Sequence, residues 1–229
     1  MSMRIHKLVL FGTVIVVTAL GVFGVHIGSA FAFSEVLYPH PRPLQSLGLS
    51  VGNLPPNGSP NAKVKIIEYG NYYDPFSRMF FQNTEQRLRA EYIETGKVVM
   101  YWKDFVFPDF PGLLGDLSAA HAARCANEQR MFWQYHDALF SRIGSAVEPR
   151  EPMKQLDFEG LGEQLGLNMT RFDRCLDTER HLPLVGVGSQ NAMREGIVAV
   201  PTFFINGRRV EGVKPWDEFV RIIEEELAT

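Results

Sequence analysis

The sequence predicts an α/β fold: a small mixed sheet interrupted by a helical insertion and preceded by one N-terminal transmembrane helix. Three observations carry that expectation. An apolar run without a formal charge occupies Leu8 to Ser34. Short β-branched segments recur near both ends of the remaining chain, as "KVKIIEY" and "VPTFFI". Between them lies a block with apolar residues at helical spacing, among them Ala122, Cys125, Phe132, Trp133, His136 and Phe140.

The first element is "LVLFGTVIVVTALGVFGVHIGSAFAF". At ~1.5 Å rise per residue it is long enough to cross a ~30 Å hydrocarbon core. Arg4 and Lys7 precede it and Glu35 follows it. The positive-inside rule then makes 1–7 a cytoplasmic tail and 8–33 a single membrane pass (Leu8 to Phe33). Everything later lies in the periplasm of a bacterial cytoplasmic membrane. His26 is tolerated near the outer interface. Ala30-Phe31-Ala32 also fits a small-x-small cleavage site, but the run exceeds the ~7–15 residues of a signal-peptide core, so a retained anchor is expected.

The chain carries −3, and past the anchor 21 basic residues face 26 acidic ones, a charge of −5. That balance argues against nucleic acid and against adhesion to an anionic membrane surface. The six histidines are scattered without metal-ligand spacing, so neither a metal nor another cofactor is expected. No small-molecule substrate is predicted either.

Residues 34–62 hold six of the 14 prolines (Pro39, Pro41, Pro43, Pro55, Pro56 and Pro60), the composition of an extended, semi-rigid linker. The globular domain is expected over 63–229. "KVKIIEY" is its first strand. Pro75 to about Thr95 follows as a helix closed by Gly96, with Phe76, Phe80, Leu88 and Tyr92 near helical spacing. "KVVMYWKDF" is a second strand, and Pro108, Pro111 and Gly112 break the chain after it. A helical insertion then spans about 113–180. It holds one long helix, Leu117 to Arg142, and shorter ones near Phe158–Leu165 and Thr170–Leu176. Another helix, near Leu184–Glu195, ends at Gly196. "VPTFFI" and "RRVEG" form a hairpin, because Asn206-Gly207 suits a type I′ turn. Trp216–Leu227 closes the chain as a helix with its acids outward. The order β-α-β, helical block, α-β-β-α is that of a thioredoxin-type sheet with an insertion.

Three blocks, in order, carry a family resemblance. "NGSPNAKVKIIEYGNYYDPFSRMFF" is similar to the N-terminal motif of the DsbA-like thiol-disulfide oxidoreductases, where a strand leads to C-P-x-C. "AARCANEQRMFWQYHDALF" resembles that family's long inserted helix, and "REGIVAVPTFFINGRRVEG" its cis-proline strand and hairpin. The resemblance implies a site at Asp74-Pro75-Phe76-Ser77, with Asp74 in the attacking cysteine's place and Ser77 in the resolving one's. Exchange needs a thiolate attacking sulfur, so a carboxylate and an alcohol cannot run that cycle. Asp at an N-cap followed by Pro at N1 is also a strong helix start, contributing on the order of 1 kcal/mol. A stabilised helix start therefore explains both replacements. A minor alternative takes Ser77 as a thiolate-binding serine, as in kappa-class glutathione transferases. The resemblance further implies that the bond within Val200-Pro201-Thr202 is cis and faces the site. Backbone there could pair with an extended peptide by strand addition, or Pro201 could simply shape the loop.

Only Cys125 and Cys175 remain. In an exported chain two such cysteines are expected to pair, with two buried free thiols as the alternative. "YWKDFVFPDFPG" is a candidate contact patch through Phe107 or Phe110, or else core. The expected function is a redox-inactive, membrane-anchored subunit that binds other proteins outside the membrane, as an accessory part of a larger membrane assembly, respiratory or photosynthetic electron transport included. The alternatives are an oxidoreductase-related enzyme and a chaperone-like holdase for exported proteins.

Overall fold

The computed structural model describes residues 52–107, 114–144 and 156–229. The expected tail and transmembrane helix, most of the linker, and Phe110 lie outside them. Among the described residues no helix is long and apolar enough to cross a membrane.

Strands β1 (Val64–Gly70), β2 (Val98–Asp104), β3 (Thr202–Ile205) and β4 (Arg208–Glu211) form one sheet in the order β2-β1-β3-β4. β1 and β2 run parallel, with Ile66 opposite Met100 and Glu68 opposite Trp102. β3 is antiparallel to both β1 and β4. Parallel neighbours need a crossover, and helix α1 (75–93) supplies it. It is one continuous helix with two π turns, Phe81–Glu85 and Arg89–Ile93. The hairpin turn has Asn206 and Gly207 at φ of 47° and 94°, as a type I′ turn requires.

The insertion differs from the single long helix expected. It is two helices, α2 (Leu114–Asn127) and α3 (Phe132–Gly144). The chain breaks at Arg130, whose φ is 64°. The Met131 N–H bonds back to the Ala126 carbonyl and the Arg130 N–H to the Asn127 carbonyl, the two bonds of a Schellman stop. Arginine rather than glycine takes the left-handed position, so the sequence carries no stop signal. Tertiary bonds hold the break: Gln129 Nε2 donates to the Asn168 carbonyl at 3.2 Å, and Asn168 N–H donates to Gln129 Oε1 at 2.8 Å. α4 (Phe158–Gln164) and α5 (Met169–Asp177) complete the insertion. Both start on capping side chains, Asp157 and Asn168. α6 (Leu182–Arg194) and the terminal α7 (Trp216–Ala228) follow.

Helices cover both faces of this mixed sheet. One face packs Ile66, Met100, Phe203 and Ile205 against α1 and α7. The other packs Ile67, Val99, Tyr101 and Phe204 against Ala192 of α6. A third core fills the insertion and reaches Trp102 and Tyr72. Residues 52–62, the end of the expected linker, lie against the sheet. Asn57 exchanges two backbone bonds with Met100 of β2, at 2.8 and 2.9 Å. Leu54 is buried, and Trp133 Nε1 donates to the Pro55 carbonyl.

Candidate functional site

The β1–α1 turn is built by Asn71. Its side-chain oxygen accepts from the Tyr73 N–H at 2.8 Å, and its amide donates to the Phe105 carbonyl at 3.1 Å. Gly70 precedes it where a Cβ would overlap the Trp102 indole, so only glycine fits. The turn delivers Asp74 in extended conformation as the N-cap of α1, with Pro75 at the first helical position. Asp74 Oδ2 accepts from the Ser77 N–H at 2.6 Å. Burial raises the Asp74 carboxyl above its usual range, against the pull of the Ser77 and Phe76 N–H groups and of Arg78. Ser77 is buried, and its hydroxyl accepts from the Asn71 N–H at 3.3 Å. Phe76 and Met79, in contrast, point outward at 55% and 43% exposure.

Val200-Pro201 is a cis bond. Thr202, buried at the start of β3, donates its hydroxyl to the Ala199 carbonyl at 2.8 Å, and Pro201's carbonyl accepts from the Gly212 N–H. Val198, in the loop before them, is 72% exposed. Thr202 pairs with Tyr69 at the end of β1, the strand that leads into the Asp74 turn.

Beneath the turn lie ionisable residues for which sequence reasoning found no role. Glu68 of β1 is fully enclosed. Burial first, then the Glu85 and Asp74 carboxylates, pushes its carboxyl far above the normal range. Glu85 of α1 moves the other way. Burial would raise it, but contacts with His136 and Arg89 outweigh that and lower it. Arg89 reaches Glu85 at 2.7 Å and Asp137 at 2.6 Å. His136 Nδ1 meets the Tyr72 hydroxyl at 3.1 Å, and its ring packs against Trp102, Trp133 and Phe140. The surroundings thus favour the neutral form of Glu68 and the ionised form of Glu85 under the same helix start. The available signal was Glu68 itself, a lone acid inside the apolar strand "KIIEYG".

A separate cavity of about 250 Å³ opens along β2, lined in part by Asn53, Lys103, Arg124, Asn191 and Glu195. Its charges are paired. Lys103 donates to the Tyr69 hydroxyl at 2.9 Å, Tyr69 to Glu195 at 3.0 Å, and Arg124 to Asp104 at 2.8 Å. The aromatic patch resolves toward core: Tyr101, Trp102 and Phe105 are buried, and Phe107 packs edge-on to Phe105.

Cys125 of α2 and Cys175 of α5 form a disulfide, with Cα atoms 5.6 Å apart and both residues buried. Cys125 and Cys175 cluster with His121, and Cys175 also clusters with Glu128 and His181, groupings that sequence spacing does not reveal because their members come from separate elements.

Residues 52–225 match the family model described as "Thioredoxin". The chain is 33% identical over 175 residues to a Na(+)/H(+) antiporter NhaA of Nitrosospira multiformis, covering 74% of this chain and 25% of that one. It spans only about a quarter of the antiporters it matches. It is 26% identical over 180 residues to a probable disulfide bond formation protein D of Bacillus anthracis, covering 74% and 76%. The crystal structure of oxidised BdbD from Bacillus subtilis superposes with a TM-score of 0.68 at 22% identity, over 79% of this chain and 96% of that one. At that identity the likeness speaks for the fold.

Proposed function

The chain belongs to the thioredoxin family, and on that premise we propose that it is a relative of the thiol-disulfide oxidoreductases that binds exported polypeptides without exchanging electrons at its helix start. The observation that carries this is Asp74. A carboxyl caps α1 where a nucleophilic sulfur would stand, and Ser77 behind it is closed off by Asn71. Thiol-disulfide exchange has no atom to start from there. What remains around the site is apolar and exposed: Phe76, Met79 and Val198. Such a patch beside a strand end suits an extended, unfolded segment. The apolar run 8–33, behind Arg4 and Lys7, supports a single pass that holds the domain in the periplasm.

The match to part of Na(+)/H(+) antiporters supports a second reading. A domain of this kind can be one portion of a larger membrane protein, so this chain would serve as an accessory subunit bound to a membrane assembly. Two measurements separate the readings. Insulin reduction is compared between the native chain and an Asp74→Cys/Ser77→Cys variant; turnover is expected in the variant alone, and turnover by the native chain defeats the proposal. Binding of a reduced, unfolded exported protein is then followed by fluorescence anisotropy. It is expected in both forms and lost in Phe76→Glu/Met79→Glu. A stoichiometric membrane partner retained in mild detergent, without client binding, favours the accessory subunit.

A further inference from the structure

The Cys125–Cys175 bond does not lie among apolar side chains alone. His121 stands one helical turn before Cys125, itself buried, with its ring nitrogens 3.9 and 3.8 Å from the Cys125 sulfur. Its Nε2 lies 3.3 Å from the Leu176 carbonyl. A carbonyl only accepts, so in the neutral ring Nε2 carries the proton and Nδ1 is the nitrogen with a lone pair to offer a metal. On the other side, Glu128 Oε1 is 3.7 Å from the Cys175 sulfur. His181 Nε2 meets that same oxygen at 2.8 Å, and the His181 ring centre is 5.7 Å from that of His121. Arg180 grips both Glu128 oxygens, its Nε donating to Oε1 at 2.8 Å and its Nη2 to Oε2 at 2.6 Å.

We infer that reduction of this disulfide creates a binding site for a thiophilic divalent cation, Zn²⁺ by its ligand set, formed by the cluster of Cys125, Cys175 and His121, with Glu128 or His181, from the adjoining cluster around Cys175, moving its side chain into the fourth place. Zinc lies ~2.3 Å from sulfur and ~2.0–2.1 Å from nitrogen or carboxylate oxygen, so tetrahedral neighbours sit roughly 3.6–3.8 Å apart. The nitrogen-to-sulfur and oxygen-to-sulfur separations already present are close to that spacing. The His121 bond to a backbone carbonyl is the arrangement that fixes the tautomer and orientation of a metal-bound histidine. Two thiolates and a neutral imidazole also neutralise a dication, so burial costs the complex little.

The chemistry is a two-electron exchange followed by binding. A dithiol reductant attacks one sulfur, the Cys125–Cys175 bond breaks, and the reductant leaves as its own disulfide while two thiols form. Zn²⁺ then takes both thiolates, and two protons pass to solvent. The site goes beyond the polypeptide-binding reading and does not depend on it. Oxidised, the pair is a staple; reduced, the same place is held by metal.

The test uses the full chain in detergent, reduced with a small dithiol, freed of reductant without air, and titrated with Co²⁺ and then Zn²⁺. One equivalent of Co²⁺ is expected to give thiolate charge-transfer and tetrahedral ligand-field bands, which Zn²⁺ abolishes. The oxidised chain gives neither. His121→Ala is expected to bind Co²⁺ at least about tenfold more weakly, yet to re-form its disulfide in air. Far-UV circular dichroism accompanies each titration. The inference is overturned by any of three results: no stoichiometric band in the reduced chain, unchanged affinity in His121→Ala, or metal bound only by chains that have lost their helical signal.

Discussion

The helix start at Asp74 and the junction of α2 with α5 place their reactive atom types in opposite surroundings. At Asp74 the turn is open enough that Phe76 and Met79 face solvent. The backbone N–H of Ser77 points at the capping atom, the environment that lowers a cysteine's pKa. Yet the capping atom is oxygen. At the α2–α5 junction the atoms are sulfur, but they are bonded to each other and buried in the insertion. The exposed position has no sulfur, and the sulfurs lie buried as a disulfide. Thiol-disulfide exchange depends on uniting the two, so membership fixes the scaffold and the site atoms decide the chemistry.

The sharpest way to break that contrast is at the sulfurs. Replacing both, as Cys125→Ser/Cys175→Ser, opens a loop closed across a separation of 50 residues. The chain-entropy model puts the loss at about 4 kcal/mol. Urea denaturation with and without reductant measures it, and a loss below about 1 kcal/mol would show that the staple does little in the folded chain.

A second test acts on the buried acids beneath Asp74. Glu85→Gln leaves Arg89 with only Asp137 and leaves His136 without its carboxylate, at a cost of about 3 kcal/mol, the low end for a broken buried pair. The pH dependence has opposite signs for the two acids. Glu85 is held below its ordinary value of 4.5, so its contribution is present above that pH and is lost as pH falls through the lowered value. Glu68 is held far above 4.5. It holds its proton more tightly when folded than when unfolded, so it opposes folding increasingly as pH rises above 4.5. Glu68→Gln is therefore expected to raise the denaturation midpoint at pH 7 and not at pH 4. Equal effects at both pH values would show that Glu68 does not titrate as its surroundings require.

A smaller effect is expected at the cap. Asp74→Ala removes the bond to the Ser77 N–H and costs about 1 kcal/mol. Asp74→Asn keeps a cap without the burial penalty on charge, and its stability at neutral pH is expected to equal or exceed that of the native chain. The smallest effect belongs to exposed Arg87–Glu91, an i,i+4 pair at 3.3 Å on α1. Arg87→Ala removes about 0.3–0.5 kcal/mol from the pair, plus whatever its stacking on Trp216, 4.2 Å from the ring centre, contributes.

Much of this molecule was determined locally, and local chemistry is what a sequence displays. Asp74-Pro75 predicts a capped helix start because the cap bond spans three residues, and Asn206-Gly207 predicts its turn because left-handed backbone favours those side chains. The strands at "KVKIIEY" and "VPTFFI" followed from β-branched runs, and the loss of sulfur at the site followed from residue identity alone. What tertiary structure decided involves partners far apart in the chain. The stop at Arg130 needed Asn168 to hold Gln129. The downward shift of Glu85, opposite to that of Glu68, needed α3 to bring His136 beside it. The histidines and carboxylate beside Cys125–Cys175 assemble only when α5 and the 178–181 turn fold back on α2. Electrostatics and burial act through distance in space, and distance in space is what the order of residues leaves unstated.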